Sequence, residues 1–461
     1  AGWCAAGGNN VTGDANVFIG SYTAKCNCSG SCNIMIGSLA GFANQTGNNN
    51  TFLQNYAGRD NTTGSDNTYI GFGAGYESGN ANHSIAIGRC AGYNSASDLN
   101  IFLGKDAGKC NTTGHSNIGI GQSSSGGAEG ANSVTGSNNI SIGSSAGAFL
   151  KTACDNVFMG VNTGVGNTGG SGNVFLGRCA GIGNTVANCN IYIGVCAGTQ
   201  TGIGTYYFGA SGGDHNIAIG FCAGSLYNTT TYSGSGGATC YNVAIGYKAL
   251  GCSNNSASNA RKGVAIGYLA GGQITSSHES VYIGSGTGYN AHGSNNVAIG
   301  KAAHNNNYGQ CNVALGVCAF TASGGGHCNT VIGGQAGKST TGSSNTLLGY
   351  RAGCCLSSGC CNVAIGRETN FASATGSCQF IIGIGSNKWI CGDSSFNIYD
   401  KDGNQLNGGG GGSGGCLKLV ADRNYISDGS CSGCNFSGAT DNIILGTCAG
   451  QDHTSGDNNI F

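Results

Sequence analysis

The sequence predicts an all-β protein, a β-solenoid or β-roll of about 22 coils of ~17 residues each, packed as a parallel homotrimeric fibre. Three observations predict the solenoid. A motif of Asn, three mostly apolar residues and Gly returns at steps of mostly 16 or 17 residues, segments rich in Gly, Asn, Ser and Thr separate the motifs, and the 461 residues include no Pro. A short unit repeated at a fixed period, with insertions at one place in the unit, is typical of solenoids.

The apolar triplet is the first element of each coil. Sequences such as CNIYIGVCAG from Cys189 and NNVAIGKAAH from Asn295 place β-branched and aromatic residues between turn-forming residues. A helix of this length would favour Ala, Leu, Glu and Lys and few Gly, so the triplet predicts a strand. We expect one coil to contain this strand, for example Val297–Ile299, then a Gly corner, a second short strand and a polar return. Adjacent coils then lie about 4.8 Å apart.

The missing Pro and the recurring Asn agree with stacked coils. Every strand in such a stack is central, so Pro would remove a hydrogen bond of the ladder wherever it fell. Asn33, Asn50 and Asn67 share the position before the triplet. Two explanations remain open for this column: stacked amides that hydrogen-bond along the axis, or a residue that tolerates a left-handed corner and bonds its own backbone.

The repeat also divides the chain. We predict a repeat array over residues 1–383, an irregular insertion with a hairpin and a Gly-rich run over residues 384–440, and a resumed repeat, cut within a coil, over residues 441–461. Wider steps within the array, such as Gly121 to Gly143, indicate inserted loops. Because coil ends are open strand edges, we also expect subunits to stack end to end in a filament.

The direction of the strand side chains leads to the prediction of an oligomer. Side chains alternate along a strand, and the first and third triplet residues, mostly Val, Ile or Leu, are interpreted as the core. The middle residues then form an outward, uncharged column, which soluble monomers avoid. Identical chains supply an identical column, so we predict a parallel homotrimer; packing against the chain's own inserted loops is the alternative. The candidate oligomer-face residues are Phe18, Phe52, Tyr69, Phe102, Phe158, Phe175, Tyr192 and Tyr282.

Cysteine is unusually abundant. The chain has 26 Cys, an even number that is typical of oxidised extracellular proteins. Many lie in two columns, one just before the motif Asn and one two residues after the motif Gly, so those in neighbouring coils come within the ~4.4–6.8 Å Cα separation of a disulfide. Bonds between coils and bonds between chains both remain open. The candidate disulfide cysteines are Cys179, Cys196, Cys222, Cys311, Cys328, Cys361 and Cys378.

Charge and composition exclude several partners. Only 8% of the residues are charged and the net charge is −1, so nothing favours binding to nucleic acid or to an anionic membrane. No apolar run approaches the ~20 residues of a membrane span, so we expect no membrane insertion. Cys431 and Cys434 form a single CxxC pair, whereas zinc sites usually combine two such pairs or add nearby His, and we expect no metal and no cofactor.

Several motifs resemble known fibre repeats. The segments NNVAIGKAAH and NVAIGYKALG resemble the head repeats of trimeric autotransporter adhesins, and NTYIGFGAGYESGN resembles repeats of tail-fibre proteins of phages and other viruses. The segment Ser386–Ile398 is similar to one that follows such repeats in those fibres. The resemblance covers nearly the whole chain and implies left-handed β-rolls in three-chain bundles. The sequence departs from the adhesin heads in its longer repeat and its cysteine content.

The function expected from these features is mechanical. No nucleophile motif, phosphate-binding loop or zinc-protease motif is present, so no catalytic residue is predicted. We expect a disulfide-stabilised fibre or filament, extracellular, on a cell surface or on a virion, that acts as a rigid spacer and adhesion element. The first alternative is a receptor- or glycan-binding adhesin with Trp389 as a ligand contact. An ice-binding solenoid and a fibre-borne depolymerase are further alternatives.

Overall fold

The structure is a computed structural model of the chain. It describes residues 12–128, 133–201, 213–227, 240–251, 262–274, 277–321 and 324–406, together with the backbone of three short strands beyond them. The chain divides into two compact units, Ala1–Asn295 and Asn296–Phe461, and motif strands are present in both. The described residues contain no α-helix.

The strands of the first unit lie at the predicted apolar triplets, with two additional short strands. They are β1 (Val17–Ile19), β2 (Ile34–Ile36), β3 (Thr51–Leu53), β4 (Thr68–Ile70), β5 (Ile85–Ile87), β6 (Ile101–Leu103), β7 (Ile118–Ile120), β8 (Ile140–Ile142), β9 (Val157–Met159), β10 (Val174–Leu176), β11 (Ile191–Ile193), β12 (Gln200–Thr201), β13 (Ile217–Ile219), β14 (Leu226–Tyr227), β15 (Val243–Ile245), β16 (Val264–Ile266) and β17 (Val281–Ile283).

The second unit contains the remaining strands. They are β18 (Val297–Ile299), β19 (Val313–Leu315), β20 (Thr330–Ile332), β21 (Thr346–Leu348), β22 (Val363–Ile365), β23 (Phe380–Ile384), β24 (Asn387–Gly392), β25 (Ile398–Asp400), β26 (Lys418–Leu419), β27 (Tyr425–Ile426) and β28 (Ile443–Ile444). Apart from β28, the predicted resumed repeat over residues 441–461 lies outside the described residues, as do the Gly-rich run Gly408–Gly415 and the pair Cys431 and Cys434.

Motif strands pair in parallel with the strand one coil away, with equivalent residues side by side. Val17 lies beside Ile34, and Val174 lies beside Ile191. In the first unit this register is unbroken through the motif strands from β1 to β17. In the second unit it continues from β18 to β23. The predicted all-β solenoid with coils of ~17 residues is therefore confirmed.

A series of turns replaces the second short strand that was predicted after the motif Gly. Leu39 and Gly41 both lie in the left-handed region, with φ of 59° and 56°, and a segment with alternate left-handed residues cannot extend as a strand. The amide of Leu39 donates to the carbonyl of Ser21 one coil back (2.9 Å), and the amide of Gly41 donates to Ala57 one coil on (2.9 Å). The turns are therefore hydrogen-bonded from coil to coil, as the strands are.

The prediction of which strand residues face outward is wrong. The middle triplet residue points into the coil, where Phe52 is fully buried, whereas Val17 and Ile19 are 45% and 50% exposed. The interior has room for one large side chain per coil, packed against a small residue such as Ala57. Because strand side chains alternate, burial of the middle residue turns both of its neighbours outward. The candidate oligomer-face residues therefore line the core, with Phe18 partly buried against it: Phe18, Phe52, Tyr69, Phe102, Phe158, Phe175, Tyr192 and Tyr282.

The Asn column forms a hydrogen-bonded ladder along the stack. The backbone amide of Asn50 donates to Oδ1 of Asn33 (2.9 Å), and Nδ2 of Asn50 donates to the carbonyl of Gly64 (2.8 Å). The left-handed residue is the one before the Asn, for example Asn49 with φ of 58°. Of the two explanations for the column, stacked amides are therefore the one that the structure supports.

The parallel array of the second unit ends in an antiparallel meander. β23 pairs in parallel with β22 and antiparallel with β24, which pairs antiparallel with β25. The register shifts at a β-bulge, because Ile382 lies opposite Ile390 whereas Gly383 lies opposite Lys388. Trp389 is the extra residue of that bulge. A bulge changes the direction in which side chains point, so Trp389 is oriented by a feature that the motif strands lack.

Candidate interaction surface

In each unit the outward residues of the motif strands form a continuous, uncharged and mainly aliphatic surface, here called the strand face. In the first unit it consists of the first and third residues of β1–β11, β13 and β15–β17, and in the second unit of the corresponding residues of β18–β23. All are Val, Ile, Leu, Met, Phe or Thr, and none is charged. In-register pairing places them in straight columns, so no polar row interrupts the surface. Sequence reasoning missed this surface because it assigned these residues to the core.

The strand face of the first unit is large enough for a stable protein interface. Its fifteen strands, spaced ~4.8 Å apart, give a stack of about 70 Å, and three extended residues are about 10 Å wide, so the face measures roughly 700 Å². A standard interface buries roughly 800 Å² per partner. Monomeric proteins rarely expose contiguous apolar patches of more than a few hundred Å². The strand face is therefore the strongest candidate for a docking surface.

Aromatic residues extend the strand face along one side. In three successive coils the residue after the motif Gly is aromatic and exposed: Phe221, Tyr247 and Tyr268. Their rings stack with centroid separations of 5.2 Å in both neighbouring pairs. We call these residues the aromatic ladder. Because the rings stack on one another, they present edges outward and form an apolar wall, whereas a sugar ring stacks on an aromatic face.

None of the 20 cysteines among the described residues is in a disulfide, so the predicted disulfides are not confirmed. Cys179, Cys196 and Cys222 occupy one column in successive coils, and Cys222 is buried. Burial raises the pKa of the Cys196 thiol, and the adjacent Cys222 and Cys179 raise it further. The three residues therefore form a column of thiols in successive coils.

The other candidate cysteines also lie in adjacent coils. The amide of Cys328 donates to the residue before Cys311, and the amide of Cys378 to the residue before Cys361, both at 2.9 Å. All four residues are in the left-handed region. In-register stacking keeps their Cα–Cβ bonds parallel, so the Cβ atoms stay near the ~4.8 Å coil spacing, beyond the ~3.5–4.5 Å usual for a disulfide. Bonds within such a column would require the corners to shift.

The predicted ligand contact, Trp389, lies in the bulge of β24 and is 58% exposed. Phe396, in the next turn, is 73% exposed and has a left-handed φ of 64°, which is unusual for a bulky residue. Asp393 organises this turn, because its carboxylate accepts hydrogen bonds from the side-chain amide of Asn397 (3.1 Å) and the hydroxyl of Tyr399 (3.0 Å). The hydrogen bonds, led by that from Asn397, lower the pKa of Asp393.

Other kinds of site find little support. In the part of the chain that the structure describes, no group of three or more His, Cys, Asp or Glu residues is arranged to hold a metal ion. Over the same residues no helix is long and apolar enough to cross a membrane. No protein-family model matches the chain, and a search of curated proteins finds no match. The likeness to adhesin heads and tail fibres is therefore one of motif, and what the structure establishes is the fold.

Proposed function

We propose that the protein is a structural fibre protein, extracellular or carried on a virion, that works as a rigid spacer and adhesion element in a parallel homotrimer. The observation that carries this proposal is the strand face. It is uncharged, straight and continuous over fifteen in-register strands of the first unit. Exposure of such a surface to water is unfavourable along its whole length, so a partner that covers it gains apolar burial in proportion to that length.

A second copy of the chain matches the strand face in spacing. Rows of side chains repeat at ~4.8 Å along the stack, and closed rotational symmetry about an axis parallel to the stack brings equal coils of each chain to equal heights. Within a unit, the rows of one chain then meet rows with the same period along the whole strand face. Three chains are proposed because the adhesin heads that the motifs resemble are three-chain bundles.

The hydrogen bonding between coils supports a mechanical role. The coils of β2 and β3, for example, are bonded to each other at three places: in the strand, in the turns after the motif Gly, and through the Asn ladder. These bonds run along the stack, so a pull along the axis loads many of them together. The cysteines support an extracellular or virion location, because thiols as exposed as Cys32, Cys189 and Cys311 are available for oxidation in such a compartment.

The proposal is tested by charging the strand face. Ile87, Met159 and Ile266 each point outward and are more than one third exposed, so Lys at these positions leaves the coil interior unchanged. In a trimer the triple variant would bury unpaired ammonium groups at the interface, which is strongly unfavourable. Light scattering is expected to give a trimer mass for the parent protein and a monomer mass for the variant, with the same β circular dichroism.

The matched control places the same charges elsewhere on the coils. Gln45, Thr113 and Thr152 are exposed residues in the polar returns. Their triple Lys variant is expected to remain trimeric. A parent protein that is monomeric at micromolar concentration, or a strand-face variant that keeps its trimer mass, contradicts the proposal.

A glycan- or receptor-binding adhesin is the second candidate function. The observation that favours it is the meander, where Trp389 and Phe396 are both more than half exposed and Phe396 is held in a strained conformation. Exposed aromatic residues on a rigid support are a common way to hold sugars. Retention on a glycan array that disappears in Trp389→Ala, while the trimer mass is unchanged, would favour this function over a plain spacer.

A further inference from the structure

Two coils carry a cysteine on both sides of the strand face. The sequence CNIYIGVC, residues 189–196, places Cys189 two residues before β11 and Cys196 three residues after it. The sequence CNVALGVC, residues 311–318, repeats the arrangement with Cys311 and Cys318 around β19. In both coils the first cysteine is exposed and the second is partly exposed. No other described coil has cysteine at both of these positions.

The two cysteines of one coil cannot bond to each other. Six residues, Asn190 to Val195, lie between Cys189 and Cys196, and they include the extended strand β11, so the two cysteine Cα atoms are on the order of 15 Å apart. A disulfide needs Cα atoms within about 7 Å. A disulfide at any of these cysteines would therefore need a second cysteine from a neighbouring coil or from another chain.

Rotational symmetry supplies that partner from another chain. Each strand face has two edges: one carries the residues just before the strands and the other the residues just after them. When identical chains pack around an axis parallel to the stack, the first edge of one chain meets the second edge of the next chain. Closed symmetry allows no axial shift, so Cys189 of one chain comes to the height of Cys196 of its neighbour. A coil rises about 4.8 Å over its full turn, so the two sides of one strand differ in height by less than half of that. The same argument pairs Cys311 with Cys318.

We propose that these two coils form disulfide clasps between chains, Cys189 to Cys196 and Cys311 to Cys318, so that each of the two coils joins the chains in a covalent ring. The inference rests on the parallel trimer proposed above. In each bond the two thiols lose two protons and two electrons. A low-molecular-weight disulfide such as oxidised glutathione accepts them. The exposed Cys189 or Cys311 first forms a mixed disulfide with one glutathione and releases the other as a thiol. The partner chain's cysteine then attacks this mixed disulfide, forms the bond between chains and releases the second glutathione as a thiol.

The competing arrangement lies within one chain. Cys196 is stacked between Cys179 and Cys222, and a bond along this column would leave Cys189 without a partner. The parallel Cα–Cβ bonds of a column disfavour that bond, as described above, whereas residues that approach from two chains are under no such restriction. The two arrangements give different cross-linked peptides.

The experiment oxidises the full-length chain with oxidised glutathione, blocks the remaining thiols by alkylation and separates the boiled product without reductant. A covalent trimer is expected, with disulfide-linked peptides that join Cys189 to Cys196 and Cys311 to Cys318. The double variant Cys189→Ser/Cys311→Ser should lose the covalent trimer, and each single variant should keep it through the other coil. The control Cys32→Ser/Cys90→Ser, in coils with a cysteine on one side only, should behave as the parent.

The outcomes separate this inference from the proposed function. A reduced protein that is trimeric by light scattering but yields only Cys196–Cys222 or Cys179–Cys196 peptides, or no cross-links, overturns the clasps and leaves the trimer standing. A monomeric reduced protein overturns the trimer and the clasps together. Cross-links between Cys189 residues of two chains would indicate antiparallel packing and would also overturn the inference.

Discussion

Two groups of coils, one in each unit, fill a narrow interior in opposite ways. In the coils of β9, β10 and β11 the large residue is the middle one of the strand, and the rings stack with centroid separations of 5.0 and 4.8 Å: Phe158, Phe175 and Tyr192. In the coils of β18 and β19 the middle residue is Ala298 or Ala314, and the large residue lies at the corner four residues after the motif Gly. That residue is His304 or Phe320, whose rings are 5.7 Å apart and tilted by 50°.

In these two groups the large residue changes position and the interior remains filled, whereas the coils of β5, β13 and β16 combine a middle Ala with a Gly corner. In the coil of β3 the middle residue is Phe52 and the corner is Gly58, where an added Cβ would lie 2.6 Å from the Phe52 ring. In the coil of β19 the middle residue is Ala314, and the corner has space for Phe320, which is fully buried there. Close-packed interiors tolerate such exchanges only if the total volume is kept.

The largest expected effect comes from removing the large residue of an aromatic coil. Phe175→Ala leaves a cavity that Gly181 cannot fill, and the free energy of unfolding should fall by about 3–5 kcal/mol. Adding Gly181→Phe rebuilds the arrangement of Ala314 and Phe320, so the double variant should recover most of the loss. Chemical denaturation of the parent, single and double variants measures both steps. A double variant less stable than Phe175→Ala would refute the exchange of positions.

This exchange also explains what the sequence could and could not predict. The period, the strands and their parallel register follow from the motif alone, because only a coil repeats a strand and a corner every ~17 residues. Alternation fixes that Val243 and Ile245 face away from Ala244, but it does not say which side is the interior. A usable signal was the pairing of a small middle residue with a large corner residue in some coils, as in Ala244 with Leu250, since residues that share a core adjust their sizes to each other.

A matched pair of glycines in one coil isolates the close fit around an aromatic residue. A Cβ at Gly288 would overlap the ring of Tyr282, whereas a Cβ at Gly286 would meet nothing within 4 Å, although both have left-handed φ. Gly286→Ala should therefore lower the free energy of unfolding only through the strained backbone conformation, by about 1 kcal/mol. Gly288→Ala should add the cost of overpacking and lower it by about 2–4 kcal/mol in total. Equal losses of unfolding free energy in the two variants would show that the ring moves aside without cost.

The coils of β18 and β19, whose large residue lies at the corner, should differ from the coils of β9 to β11 in their response to acid. His304 is fully buried, and burial lowers its pKa from an ordinary 6.5 to about 4. The folded chain therefore holds this imidazole neutral over a range in which the unfolded chain binds a proton. The free energy of unfolding is therefore unaffected by this group above pH 6.5 and falls as the pH is lowered towards 4. At pH 5 it should be lower by about 2 kcal/mol.

Hydrogen exchange in the coils of β18 and β19 measures this loss where it arises. His304→Phe is the matched variant, because the next coil already carries Phe320 at the equivalent corner. Between pH 7 and pH 5 the parent protein should lose protection in these coils relative to the variant, while the coils of β9 to β11, which have no His at the corner, should show no difference. Equal protection of parent and variant at pH 5 would mean that the corner relaxes to admit water to the imidazolium. Corner filling would then be a looser form of packing than the aromatic stack.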